Sequence, residues 1–373
     1  MIARPRKILY VTTDLFIGGG AEGMLSRMAT AHPRLADEII VVSLRLGYAS
    51  YTEQLRAEGV TVVELDFDGI RGTVSGLRRL AKLIAEIRPD IVQGWMYHGD
   101  LAALIALALS GRRQDTRLVW SIRSSEMDFR CYGVGLRLVV KACAALSRRP
   151  DLVTTNSSTG LKSHLRLGYR PRRAEVVANG IDVEQFKPDP AARAAVRSEL
   201  GISGEAVVLA HVARVDPMKD HQSFLAAMAE LPDLRALLIG PFMENLPEAL
   251  NVARLGPRTD VARLLAGADI VVSSSAFGEG FSNALAEGMA CGLPAVATDV
   301  GDASLIVGDT GLIVPPRDPQ ALAAAIRTLA GERAAARAER GANARARIVA
   351  NFGMKRAVER YAELYASLAV PRS

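Results

Sequence analysis

The chain predicts an α/β protein built from two doubly wound Rossmann-like domains facing an interdomain cleft, on three observations. Its 373 residues exceed what one ordinary core accommodates, so two domains of about 150–200 residues are expected. Short apolar runs alternate with helical patterns along the chain, as in a parallel sheet covered on both faces. The alternation breaks once, at a Gly/Pro/Asp-rich connection, and then restarts.

In the first series "KILYVTT", "EIIVVSL", "VTVVEL", "DIVQGWM", "RLVWSI" and "LVTTNS" read as buried strands, bounded by polar or helical segments. "AEGMLSRMATAH" and "TVSGLRRLAKLIAEI" carry the 3.6-residue period of helices with one apolar face. "AEVVANGIDVEQFKPDP" (174–190) is the connection, and "AVVLAHVAR", "LRALLIG", "DIVVSSS", "LPAVATD" and "GLIVPP" supply the second series of strands. The expected division is an acceptor-binding domain over 1–178 and a nucleotide-sugar-binding domain over 179–350. A terminal helix within 351–373 can pack back on the first domain. Ligands of such folds bind outside the carboxyl ends of the strands.

Composition narrows the class. Hydrophobic residues at 49% and charged ones at 23% are globular proportions and exclude a disordered chain. Cys131, Cys143 and Cys291 form no Cys-x-x-Cys pair, so neither a disulfide framework nor a zinc site is expected, and a reducing cytoplasm fits. The five histidines show no His-Glu-x-x-His spacing. "MIARPRKILYVTT" reads as an arginine-flanked strand, not a signal core. The longest apolar run, "LAALIALAL" at 101–109, is about half of what a membrane span needs.

"GGGAEG" satisfies Gly-x-Gly-x-x-Gly through Gly18, Gly20 and Gly23. A nicotinamide site is disfavoured: the strand ends several residues before Gly18, and Arg45 stands where the ribose-binding acid is expected. The glycines still bring backbone amides close to an anion at a helix start. "DFD" (Asp66–Asp68) follows a strand, where turn-forming aspartates are common, and reads as a solvated turn. "HVARVDPMKDH" places Arg214 and Lys219 after the first strand of the second series, two cations suited to a diphosphate.

"FGEGFSNALAEGMACG" carries the most information. Ser282 is the expected N-cap of a helix beginning at Asn283, whose first amides favour an anion. Glu287 then lies roughly 6–8 Å along the axis, at the distance of ribose hydroxyls from a nucleotide's phosphate. Glu279, before the helix, reaches the hydroxyls of a group on the distal phosphate, and a carboxylate accepts from two adjacent hydroxyls. Both acids would repel a diphosphate, so Arg214 and Lys219 are needed to hold it.

"FGEGFSNALAEGMACGLPAVATDVG" resembles the Glu-x7-Glu signature of glycosyltransferase family 4, retaining enzymes of the GT-B fold. "GGGAE", "VVANGIDVEQFKPDP", "ARVDPMKDH" and "DTGLIVPPRDP" are similar to the same family in order and spacing. The resemblance implies that Glu279 contacts the donor sugar and Glu287 the ribose. Arg214 and Lys219 would hold the diphosphate, helped by backbone amides at Gly20 and around Gly280, Phe281, Ser282 and Asn283. His98, in "GWMYHGD", matches the family's active-site histidine. One departure is "ASLIV" after "VGD", where the family commonly carries a glutamate.

What this implies is a retaining hexosyltransferase moving a sugar from a nucleotide diphosphate donor, UDP favoured over GDP, to an acceptor hydroxyl. The resemblance implies front-face attack, with the departing phosphate taking the acceptor's proton. No cofactor and no metal is expected, because Arg214, Lys219 and the helix dipole take up the leaving group's charge. The alternatives are a nucleotide-sugar epimerase of the same fold and a non-catalytic sugar-nucleotide-binding module.

Charge points to the acceptor. Residues 1–178 hold 26 Lys/Arg against 17 Asp/Glu, whereas the remainder holds 20 against 23. Arg137, Lys141, Arg148, Arg149, Lys162, Arg166, Arg170, Arg172 and Arg173 fall within 37 positions. Arg137 and Lys141 sit one helical turn apart beside Leu136, Val139 and Val140, as on a helix that lies on an anionic leaflet. The expected partners are therefore the sugar-nucleotide donor, a saccharide or lipid-linked acceptor in surface-polysaccharide assembly, and the inner face of the cytoplasmic membrane. Nucleic acid is not expected, for want of an aromatic platform or reading helix.

Overall fold

A computed structural model describes residues 5–16, 20–46 and 51–368, with residues 32 and 33 described by their backbone alone. The chain divides into two compact units, Met1–Ala178 with Lys355–Ser373, and Asn179–Met354.

Unit 1 runs β1 (Lys7–Thr12), α1 (Gly20–Thr30), α2 (His32–Leu35), β2 (Glu38–Ser43), α3 (Thr52–Ala57), β3 (Thr61–Glu64), α4 (Gly69–Ile87), β4 (Ile91–Trp95), α5 (Met96–Leu109), β5 (Arg117–Ile122), α6 (Val134–Leu146), β6 (Leu152–Thr155), α7 (Ser158–Arg166) and β7 (Ala174–Val176). Its strands lie in the order β3-β2-β1-β4-β5-β6-β7, every neighbouring pair parallel. Unit 2 runs α8 (Pro190–Glu199), β8 (Val208–Val212), α9 (His221–Ala229), β9 (Arg235–Ile239), β10 (Val252–Arg254), α10 (Val261–Ala266), β11 (Ile270–Ser273), α11 (Asn283–Ala290), β12 (Ala295–Thr298), α12 (Ala303–Val307), β13 (Gly311–Val314), α13 (Pro319–Gly331) and α14 (Ala334–Phe352). Its order is β10-β9-β8-β11-β12-β13, again parallel throughout.

Both sheets are doubly wound, and each reverses direction at one place: between β1 and β4, and between β8 and β11. A crevice at such a reversal is where open α/β sheets bind ligands. The eleven apolar runs that predict strands all form them. β7 and β10 were not foreseen, because three edge residues are too few to show a run or an alternation. The strands are apolar along their length because helices cover both faces: β1 buries five of its six residues fully, and Leu9, Val11, Val92, Leu118 and Trp120 join the unit 1 core. Leu209, Leu238, Ile270, Val296 and Val314 do the same in unit 2.

The last helix, α15 (Met354–Leu368), packs in unit 1 through a polar-aromatic seam. The Tyr365 hydroxyl donates to Gln93 Oε1 at 2.6 Å and lies 3.0 Å from the Tyr10 hydroxyl. Arg123 donates to the Tyr361 hydroxyl and stacks 3.9 Å from the Trp95 ring centroid. These polar groups are buried, so each needs its partner to avoid an uncompensated desolvation cost. No described helix is long and apolar enough to cross a membrane, and Cys131, Cys143 and Cys291 are free thiols.

Candidate functional site

The site in unit 2 is assembled by the loops that leave β8 and β11. After β8 the chain turns through Asp216, whose carboxylate accepts the Met218 amide at 2.9 Å while its carbonyl accepts the Lys219 amide at 2.9 Å. Asp216 also orients Arg214, taking Nε at 3.3 Å and Nη2 at 3.2 Å on one oxygen. Asp220, at φ +46°, ends the turn and caps α9, accepting the Ser223 amide at 3.1 Å and its hydroxyl at 2.7 Å; Asp tolerates this left-handed conformation better than most residues.

The loop after β11 is stitched to that turn. Ser274 Oγ donates to the Lys219 carbonyl at 2.8 Å, and the Ala276 amide donates to the Met218 carbonyl at 2.8 Å. The stitching brings Lys219 Nζ to 2.6 Å from Glu279 Oε2, with the Ser275 hydroxyl 3.4 Å from the same oxygen. Lys219 and Glu279 side chains are only 16% and 10% exposed. A pair so nearly desolvated is held by its geometry, and loss of one partner leaves the other charge poorly solvated.

Gly301 fixes the loop from its other side. It has φ +65°, and a Cβ there would stand 2.1 Å from the Glu279 carbonyl oxygen and 2.5 Å from that of Gly280. The Asp302 amide donates to the Gly280 carbonyl at 2.9 Å. Only glycine allows this approach.

At the head of α11, Ser282 has the extended backbone of an N-cap, but its side chain makes no capping hydrogen bond. The expected position holds, whereas the hydroxyl of this buried serine does not act as the cap. Asn179 instead reaches the first helical residue, its Nδ2 donating to Asn283 Oδ1 at 2.8 Å. Phe281 packs edge-on against Phe352 at 5.3 Å between centroids. Glu287 is half-buried one turn into the helix, and burial together with its carboxylate pushes the Cys291 thiol up to about 12. Arg345 of α14 donates to the Ala290 carbonyl at 2.5 Å and the Phe186 carbonyl at 2.9 Å, answering the unpaired carbonyls at the end of α11.

Two histidines that sequence reasoning did not single out lie beneath Lys219. His211 and His221 stack at 4.9 Å between ring centroids, and His211 Nε2 is 2.9 Å from Ser274 Oγ. Burial and the Lys219 charge bring His221 down to about 4, so both rings are neutral at pH 7. No spacing in "HVARVDPMKDH" announces this, since the contact follows from the β8–α9 geometry.

Unit 1 carries the remaining expected residues. His98 stands exposed in the first turn of α5, immediately beyond β4. Partial burial of its ring and the Arg45 cation lower its pKa. The corner that presents it is tight: Met96 has φ +65°, and a Cβ at Gly99 would lie 2.2 Å from the Val11 carbonyl oxygen. Gly20 is the first residue of α1. Trp95 Nε1 donates to the Ala21 carbonyl at 2.9 Å, tying the start of α1 to the end of β4 at the sheet's reversal point. Gly18 lies outside the described residues. Asp66 Oδ1 accepts the Asp68 amide at 3.2 Å, an ordinary Asx turn at the start of α4.

The structure revises the basic surface. Arg166 pairs with Glu126, and Arg173 with Glu175; Arg170 donates to the carbonyls of Leu165 and Tyr169. Val140 is buried, and Leu136 and Val139 pack on the core. The apolar residues that α6 exposes beside Arg137 and Lys141 are Val134 and Leu138, at 74% and 61%.

Comparison with known proteins gives the family. The family model for glycosyltransferase family 4 matches residues 18–185, and that for glycosyl transferases group 1 matches 206–332. Both matched stretches are domains of the family 4 type of glycosyltransferase. A D-inositol 3-phosphate glycosyltransferase of a Mycobacterium species is 34% identical to this chain over 40% of the chain and 37% of its own length. The same protein of Kineococcus radiotolerans is 33% identical over 53% of the chain and 52% of its own length. The chain thus spans about a third to a half of the length of the curated relatives it matches. HepE of Anabaena, solved with UDP and glucose, superposes with a TM-score of 0.84 at 23% identity, covering 97% of this chain and 100% of its own. The fold is GT-B.

Proposed function

We propose that the protein is a retaining hexosyltransferase that moves a sugar from a nucleotide diphosphate sugar to an acceptor hydroxyl. The observation that carries the reading is the Lys219–Glu279 contact of 2.6 Å, placed at the β8/β11 reversal beside the head of α11. A cation for phosphate and a carboxylate for hydroxyls stand within one hydrogen bond of each other, as a sugar joined to a diphosphate requires.

In this reading the donor's diphosphate takes Lys219, Arg214 and the amides around Gly280–Asn283. Glu279, released from Lys219, accepts from two sugar hydroxyls. Glu287 holds the ribose. Charge that develops on the leaving diphosphate is met by the two cations and by the N-terminal dipole of α11, groups fixed in place before reaction. Within unit 1, Gly20 offers a backbone amide to an anion at the head of α1, and His98, its pKa lowered by burial and Arg45, can accept or donate one hydrogen bond. UDP is the favoured nucleotide, supported by its presence in the HepE complex. The acceptor is a lipid-linked saccharide in surface-polysaccharide assembly. Exposed Val134 and Leu138 with Arg137 and Lys141 would rest α6 on the anionic inner leaflet of the cytoplasmic membrane.

Thermal-shift titration with UDP, GDP and ADP tests the donor half, because only the nucleotide that binds raises the midpoint. Turnover of a UDP-sugar library with and without acceptor tests the reaction. Retained anomeric configuration in an acceptor-linked product is expected, and donor consumed without acceptor would indicate the epimerase instead. For the membrane half, co-sedimentation with anionic vesicles should exceed that with neutral ones and fade at high salt; equal binding to both would refute it.

A further inference from the structure

At the opposite end of the unit 1 sheet from His98, a pocket of about 230 Å³ is lined by Leu104, Ala108, Arg113, Arg148, Arg149 and Arg172. Arg113 precedes β5, Arg148 and Arg149 precede β6, and Arg172 precedes β7, so the pocket opens at the amino-terminal strand ends. Four arginines and no acidic residue line it, their aliphatic stems with Leu104 and Ala108 making most of the wall. The adjacent acid, Asp151, is already shared by Arg113 at 3.1 Å and Arg117 at 3.9 Å. Arg148, Arg149 and Arg172 are exposed, and their side chains make no ion pair among the described residues.

The cluster is held in place. Arg113 donates to the carbonyls of Thr116 at 3.2 Å and Arg149 at 3.1 Å. The Arg170 amide donates to Ser147 Oγ at 2.7 Å, which staples the loop bearing Arg172 to the loop bearing Arg148 and Arg149. Arginines lining one concavity add to a positive local potential, which physiological salt screens over about 8 Å. An anion inside offsets that potential, and guanidinium forks match phosphate oxygens in pairs.

We propose that this pocket binds a small phosphorylated group carrying two or more negative charges, at a site separate from the donor site. The class follows from the lining. The volume is below the roughly 300–1,000 Å³ of sites for larger ligands, so a nucleoside does not fit with its phosphates. Leu104 and Ala108 offer a short apolar wall for the carbon side of a phosphate ester. Both a lipid headgroup and a free phosphate ester have this chemistry. The proposal is independent of the transferase reading, since it uses none of that site's residues.

Inorganic pyrophosphate is the probe, titrated calorimetrically into the full chain at physiological salt. Saturable binding is expected in Arg214→Ala/Lys219→Ala, where the donor site is disabled, and a loss of about tenfold or more in affinity in Arg148→Ser/Arg172→Ser. Both arginines are exposed, so the second variant keeps its fold, as an unchanged melting midpoint would show. Binding that vanishes in Arg214→Ala/Lys219→Ala and survives in Arg148→Ser/Arg172→Ser would overturn the proposal, as would no saturable binding to either. A vesicle arm separates the two sources. If pyrophosphate releases the protein from phosphatidylglycerol vesicles, the natural ligand is a headgroup; if saturable binding leaves vesicle association unchanged, it is a soluble ester.

Discussion

Lys219 Nζ and Glu279 Oε2 lie 2.6 Å apart, joining two loops that are 60 positions apart in the chain and leave neighbouring strands. The contact satisfies each charge with the other when no donor is present. In the proposed reading, a diphosphate that takes over Lys219 would free Glu279 for the sugar, and donor binding would exchange one ion pair for two sets of hydrogen bonds.

Lys219→Ala and Arg214→Ala should each lower turnover by more than about tenfold if, as proposed, these cations take up the leaving group's charge in place of a metal. Steady-state assays in the presence of EDTA should leave wild-type activity intact. Activity abolished by EDTA and restored by a divalent ion would instead point to a metal, for which the Asp-x-Asp pair Asp66 and Asp68 would be the candidate ligands.

The two glutamates should separate by assay. Glu287→Ala weakens binding of the bare nucleotide by about 1–3 kcal/mol, the cost of a charge-assisted hydrogen bond. Glu279→Ala depresses turnover of the complete sugar nucleotide and leaves bare-nucleotide affinity within a few-fold, since it takes Lys219's ion-pair partner but not its phosphate. Calorimetry with UDP and initial rates with the UDP-sugar make the comparison; equal loss of UDP affinity in both variants would refute the division.

Gly301→Ala tests the backbone support of Glu279. The methyl group would meet two carbonyl oxygens, the nearer at 2.1 Å, at a positive φ that alanine disfavours. The loop must move, so turnover should fall together with a loss of about 2–4 kcal/mol in urea unfolding. A variant as stable and active as wild type would show that the loop gives way freely.

Much of this was legible in the sequence, and the reasons it was or was not are local. Strands such as "EIIVVSL" declare themselves because burial on both faces makes them apolar throughout, whereas β7 and β10 are too short to do so. Arg214, Lys219, Glu279 and Glu287 are visible as charges set among glycine, proline and a helix start. Asp216, Asn179 and Gly301 are not. Their roles are to aim Arg214, to reach Asn283 across 104 positions and to admit two carbonyls, and each depends on a long-range approach that no spacing encodes. The pairing of both cations with carboxylates is invisible for the same reason.

Acid should destabilise the folded chain through His221. Its imidazole titrates near about 4 when folded and near about 6.5 when unfolded. The unfolded chain therefore binds more protons between those values, so the contribution is fully present above about 6.5 and is lost as the pH falls toward 4. The size is roughly 3 kcal/mol for this residue, facing Lys219, Asp216 and Asp220, and the buried rings of His164 and His211 add in the same direction. Urea midpoints measured from pH 7.5 to 4.5 should fall less steeply for His221→Leu, and identical slopes would refute the assignment.

The return of α15 to unit 1 also sets an order of events during synthesis. Tyr10, Gln93 and Arg123 leave the ribosome in the first third of the chain, yet their partners Tyr361 and Tyr365 come after the whole of Asn179–Met354. At about 5–20 residues per second, the first unit waits roughly 10–35 s with buried polar groups unanswered. The second unit is uninterrupted in sequence and has no such dependence. The nascent amino-terminal half is therefore the part exposed to chaperones, and truncation of the last twenty residues reaches back to the first strand.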